Sequence, residues 1–129
     1  MMRTIMKSKI HNATVTQAKL NYEGSITIDS GLMKKADIVE GERVQIVNLN
    51  NGERLETYAI VGEEGSGIIG MNGPAALKCE EGHKVHIISY TIVDDSERKQ
   101  IKEKILILDE DNKVKREIPE SEEHIKYGN

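Results

Sequence analysis

Short β-branched runs, punctuated by glycine at close intervals, constrain this chain more than any other feature. Turn signals stand at Gly24, Gly31, Gly41, Asn51-Gly52, Gly62 to Gly67, Gly73 and Gly82. Between them the apolar residues are mostly Ile and Val, 17 and 8 against 7 Leu and 6 Ala, with no Phe and no Trp. A branch at Cβ packs well on a pleated surface and loses rotamer freedom in a helix. The pattern predicts strands near 3–10, 13–19, 25–29, 43–49, 54–61, 67–71 and 84–93. Short helices are expected at 30–37 and 73–79, where Ala, Leu, Met and Lys gather. Asn51-Gly52 between two such runs reads as a type I′ hairpin turn. So many short strands in so short a chain predict a mainly β fold closed into a small barrel, which leaves no sheet edge exposed.

Other features remove whole classes of function. The longest unbroken apolar run is four residues and the N-terminus carries no signal-peptide core, so neither a membrane span nor export is expected. A single cysteine, Cys79, excludes an internal disulfide and a zinc-thiolate cluster and points to the cytoplasm. The 18 basic residues are scattered among 22 acidic ones. With no basic face and no Phe or Trp for base stacking, a nucleic-acid partner is not expected. Residues 1–93 carry 10 basic and 11 acidic side chains, whereas 8 and 11 crowd into 94–129. The compact domain is therefore expected to span 1–93. A charged extension, 94–129, follows with one strand near 104–108 and a flexible tail.

Two apparent motifs dissolve on inspection. Gly65-Ser66-Gly67-Ile68-Ile69-Gly70 matches the dinucleotide fingerprint, but Asn72-Gly73-Pro74 breaks the helix that the fingerprint needs. It reads as a glycine turn entering a buried strand. His83 and His86 lie three apart, on opposite faces of a strand, with no further ligand at metal spacing, so no metal site is expected.

Four other segments belong together. Lys9 and His11 share one face of a strand at i, i+2. Tyr22-Glu23-Gly24-Ser25 follows, then Arg54-x-x-Thr57-Tyr58 behind the hairpin, then Asn72-Gly73-Pro74-Ala75-Ala76. Over about residues 3–93 this set, in this order, resembles the bacterial pyruvoyl-dependent aspartate decarboxylases, which make β-alanine for pantothenate. The resemblance implies a six-stranded double-psi β-barrel assembled as a homotetramer, acting on L-aspartate, with a maturation factor as a possible partner.

The chemistry suits a small chain. Decarboxylating an amino acid leaves a carbanion at the α-carbon that no side chain can delocalise, so an electron sink is required. The resemblance implies a covalently bound pyruvoyl group made from Ser25, without pyridoxal phosphate and without metal, whose ketone forms an imine with the substrate amine. The serine hydroxyl must first attack the Gly24 carbonyl, and a residue without Cβ opens that trajectory. By the same resemblance Thr57 and Asn72 assist the cleavage as hydrogen-bonding groups, Arg54 anchors a substrate carboxylate, and Tyr58 protonates the carbanion. The resemblance also implies that Lys9 and Thr57 contact substrate and that His11 and Tyr22 shape the pocket. The turn at Gly73, Pro74 and Ala75 holds the substrate, although proline stands where alanine is common and offers no N–H. Two alternatives stand beside this reading: a non-enzymatic barrel regulator, for which no basic face is visible, and a pyruvoyl decarboxylase acting on another acidic amino acid such as glutamate.

Overall fold

A computed structural model describes residues 1–119. The chain is mainly β, with strands β1 (Met2–Thr14), β2 (Gln17–Lys19), β3 (Ser25–Asp29), β4 (Arg43–Asn48), β5 (Arg54–Gly62), β6 (Ile69–Asn72), β7 (Lys84–Asp94), β8 (Lys104–Leu108) and β9 (Val114–Ile118). They form one sheet in the order β2-β6-β3-β5-β4-β7-β1-β8-β9. Because β2 follows β1 after two residues yet pairs with β6, the β1–β2 segment touches both ends of the β6-β3-β5-β4-β7 run. The sheet thus wraps on itself as a barrel. Its inward residues, including Ile10, Ile26, Ile28, Ile46, Ile69, Met71 and Ile87, are fully buried. The Ile excess is this core.

The first strand departs from expectation. Where two strands, 3–10 and 13–19, are predicted, β1 runs unbroken to Thr14 and only then gives way to β2. Asn12 adopts the left-handed conformation (φ 63°), and the register with β7 shifts between Ile10 and Ala13. Asparagine tolerates that conformation, so the chain bulges without leaving the sheet. The β4–β5 hairpin also differs in its turn. A type I′ turn needs positive φ at both central residues, but here only Gly52 has it (φ 74°). The amide of Gly52 instead donates to the Asn48 carbonyl, closing a longer loop.

Helix α1 (Ser30–Ala36) is short and well capped. The Asp29 carboxylate accepts from the Gly31 amide at its start, Asp37 ends it in the left-handed conformation, and Leu32, Met33 and Ala36 face the core. Residues Gly73–Leu77 form a 3-10 helix with Pro74 in its first turn. After β7 the chain makes a capped 3-10 turn, Asp95–Gln100, then adds β8 parallel to β1 and β9 antiparallel to β8. Most of the tail expected at the C-terminus, residues 120–129, lies outside the described residues. Among the described residues no helix is long and apolar enough to cross a membrane.

Candidate active site

Strand β3 begins at Ser25, and the sheet around it explains why a cleft opens there. Its parallel pairing with β5 starts at Ile26 against Ala59, so β5 residues before that point have no β3 partner. The vacancy is a cleft of about 240 Å³ lined by Gly24, Leu55, Glu56, Thr57, Pro74, Ala75 and Lys78. The same register, one step back, sets Ser25 beside Tyr58, while Ser25 pairs directly with Asn72 of β6 on its other side. Alternation along the strands then puts Ser25, Asn72 and Tyr58 on one face, opposite the buried Ile26, Met71 and Ala59.

Ser25 and Asn72 are both only 3% exposed. The Asn72 side-chain Nδ2 donates to Ser25 Oγ at 2.9 Å and to Thr27 Oγ1 at 3.0 Å. Asn72 stands at the N-cap of the 3-10 helix, yet its side chain makes no capping bond there. It is committed to the two hydroxyls instead. Gly73 has φ 67°, and a Cβ there would lie 2.7 Å from the Tyr22 carbonyl oxygen and 2.8 Å from the Gly24 nitrogen. Glycine is therefore needed for the turn to close on the segment that presents Ser25. A Cβ on Gly24 would come to 3.8 Å from Pro74 Cδ, so the proline ring lies in contact range over the Gly24-Ser25 step.

The expected residues thus fall into two groups. Gly24, Thr57, Pro74 and Ala75 line the cleft; Ser25 and Gly73 are their chain neighbours, Asn72 is hydrogen-bonded to Ser25, and Tyr58, 41% exposed, follows Thr57 on β5. Arg54 sits on the same exposed face of β5 as Tyr58, four residues away. Tyr22 is 58% exposed, with the Lys19 ammonium 4.8 Å from its ring centre. Lys9 and His11 lie apart, on β1, between β7 and β8. Around the barrel β5, β4 and β7 separate β3 from β1 on one side and β6 and β2 on the other, and neither Lys9 nor His11 lines the cleft.

His11 stacks on His86, ring centres 3.9 Å apart. The Asn12 amide donates to His86 Nδ1, which fixes that nitrogen as an acceptor. Burial above all, then the charges of His11 and Lys9, lower the His86 pKa to about 4. Burial and the neighbouring Lys9 ammonium also lower that of His11. Sequence reading weighs His86 only as a metal ligand and does not single out Thr27. No local motif marks them; each is singled out only by a partner on another strand. Among the described residues no group of three His, Cys, Asp or Glu side chains could hold a metal ion.

Comparison with known proteins agrees with this geometry. The profile of the family described as aspartate decarboxylase matches residues 1–115. A protein of Thermoanaerobacter pseudethanolicus named aspartate 1-decarboxylase is 58% identical over 113 residues, 88% of this chain and 97% of that relative. Its namesake in Carboxydothermus hydrogenoformans is 53% identical over 124 residues, 96% of this chain and 97% of the relative. That of Kosmotoga olearia is 65% identical over 99 residues, 77% and 86% of the two chains. Barrel, buried Ser25 behind Gly24 and matches together define a small β-barrel decarboxylase, which sets aside the regulator reading. The chain belongs to the aspartate decarboxylase family.

Proposed function

We propose that this protein converts L-aspartate to β-alanine and carbon dioxide, for pantothenate synthesis in the cytoplasm, after cleaving its own chain between Gly24 and Ser25. The observation that carries this reading is the Ser25 hydroxyl, buried beside an amide donor and directly following a glycine at the mouth of the cleft. In the first step a bond forms from Ser25 Oγ to the Gly24 carbonyl carbon. The hydroxyl proton passes to the Ser25 nitrogen as the C–N bond breaks, leaving an ester. Loss of the Ser25 α-proton then expels Gly24 as a carboxylate, with the electron pair of the Cβ–Oγ bond staying on oxygen. Water replaces the resulting enamine nitrogen, ammonia leaves, and a ketone caps the second chain.

The residues present fit such a group, since Ser25 is buried and directly follows Gly24, which lines a cleft large enough for a small molecule. That ketone supplies the electron sink for the charge left when carbon dioxide departs. Thr57 and Asn72 hold the scissile segment during cleavage. Arg54 offers a guanidinium fork to a substrate carboxylate, and Tyr58, on the Ser25 face, delivers the proton to carbon. The amides of Gly73 and Ala75 hold substrate, while Pro74 contributes its ring and carbonyl. Lys9 and His11 do not line the cleft of their own chain, which supports a site completed by a second copy within a homotetramer. A maturation factor could act on the exposed segment before Gly24.

The test is turnover. Purified protein should release carbon dioxide from L-aspartate and leave β-alanine, and Ser25→Ala should abolish both cleavage and turnover. Decarboxylation surviving Ser25→Ala would refute the mechanism, and faster turnover of L-glutamate would reassign the substrate.

A further inference from the structure

Thr27 lies two residues beyond Ser25 on β3, so its side chain emerges on the same face. Its Oγ1 accepts one Nδ2 bond from Asn72 at 3.0 Å while Ser25 Oγ accepts another at 2.9 Å. A carboxamide nitrogen carries two hydrogens, and here each has its own hydroxyl. The pair of bonds sets the orientation of the amide: nitrogen toward Ser25, oxygen away.

The threonine is itself held in place. Its cross-strand partners are Gly70 on β6 and Ile60 on β5, and Gly62, two residues beyond Ile60, also comes close to its side chain. A Cβ at Gly62 would come within 3.0 Å of Thr27 Cγ2, and one at Gly70 within 3.4 Å of Thr27 Cβ. The two bare positions leave room for a branched side chain, whose χ1 is restricted by its own geometry. Thr27 thus presents its hydroxyl to Asn72 from a fixed site.

We infer that Thr27 is a positioning residue for self-cleavage, acting through Asn72 on Ser25 Oγ. The inference rests on the self-processing reading above. Both covalent steps place developing negative charge on that oxygen, first as the hydroxyl yields its proton, then as the Cβ–Oγ bond breaks. An N–H aimed at Oγ stabilises both, provided it does not rotate away. Without the Thr27 hydroxyl one amide hydrogen loses its partner, and the carboxamide is free to turn its oxygen toward Ser25.

The experiment compares Thr27→Val, which keeps the branched shape and loses only the hydroxyl, with Thr27→Ser, which keeps the hydroxyl. Protein purified soon after a short expression is incubated, and the cleaved fraction is followed by intact mass. Thr27→Val should cleave about tenfold more slowly or worse, an effect of the size of one misplaced hydrogen bond, with an unchanged melting temperature; Thr27→Ser should cleave nearly as the parent does. Should Thr27→Val fail to fold, Thr27→Ala against Thr27→Ser isolates the same hydroxyl. Parental cleavage rates in the hydroxyl-free variants, or equal slowing in Thr27→Ser, would overturn the positioning role. A parent chain that never cleaves would instead refute the self-processing reading itself.

Discussion

At Gly73 the backbone turns with positive φ directly against residues 22–24, and no side chain fits between the two segments. Gly73→Ala should therefore cost about 2–4 kcal/mol from strain and overlap, lowering Tm by roughly 10 °C. It should also slow chain cleavage, because the segment that must give way presents Ser25. A melting curve and an intact-mass time course check both. The stacked imidazoles give a second outcome at this scale. In the folded chain His86 titrates near 4, whereas in the unfolded chain it takes up its proton near its ordinary value of 6.5. The neutral ring's contribution to stability is therefore complete above about pH 6.5, and it is lost as pH falls toward 4, with His11 adding in the same direction. Tm should drop between pH 7 and pH 5, and His86→Val should flatten that drop. An equal decline in the variant would show that other groups carry the acid sensitivity. Sequence reading could reach Ser25, Asn72 and Thr57 because each sits in a local motif. It could not reach Thr27 or His86, whose significance lies in register between strands far apart in the chain.

Among the elements, the β8–β9 hairpin is the one whose docking the sequence hides most. Val114-Lys115-Arg116-Glu117-Ile118 sits inside the charged extension, where only the strand near 104–108 is expected, yet it forms a second strand that pairs with β8 along its length. What fixes it is one buried side chain in the turn. Asn112 Oδ1 accepts from the Thr14 amide at 2.8 Å, and its Nδ2 donates to the carbonyls of Thr14 at 2.9 Å and Gly67 at 2.7 Å. Gly67 in turn donates its amide to the Asp29 carboxylate at 2.8 Å, linking the hairpin to the cap of α1. Burial pushes the Asp29 carboxyl up, but amides of Gly67, Gly65, Gly31 and Leu32 outweigh it and hold the group below the usual carboxylate range. Asn112→Ala should cost about 2–4 kcal/mol, since it leaves buried backbone groups unpaired. Hydrogen exchange should rise at Thr14 and along β8 and β9 while β3 and β6 stay protected. The β4–β5 hairpin shows the opposite balance: its position was legible from Asn51-Gly52, but its turn type was not, because a loop closed by the Asn48 carbonyl uses only one positive φ.

For the whole molecule, the Ile and Val runs were enough to indicate a mainly β barrel, because period-two burial leaves a direct trace in composition. What they could not give is which outward faces meet. Lys9 and His11 stand on the face of β1 opposite the buried Ile10, and neither lines the cleft beside Gly24. If copies complete one another's sites, Ser25→Ala and Lys9→Ala chains, each deficient alone, should regain L-aspartate turnover when co-assembled. No recovery in verified mixed oligomers would confine each site to one chain. The central claim, that the reactive group is made from the chain itself, is tested most directly by an intact-mass spectrum of the denatured protein. Of the 129 residues, the account predicts one piece of 24 ending in Gly24 and one of 105 whose first residue has lost its amine. A single uncut chain in a sample that turns over L-aspartate would contradict it.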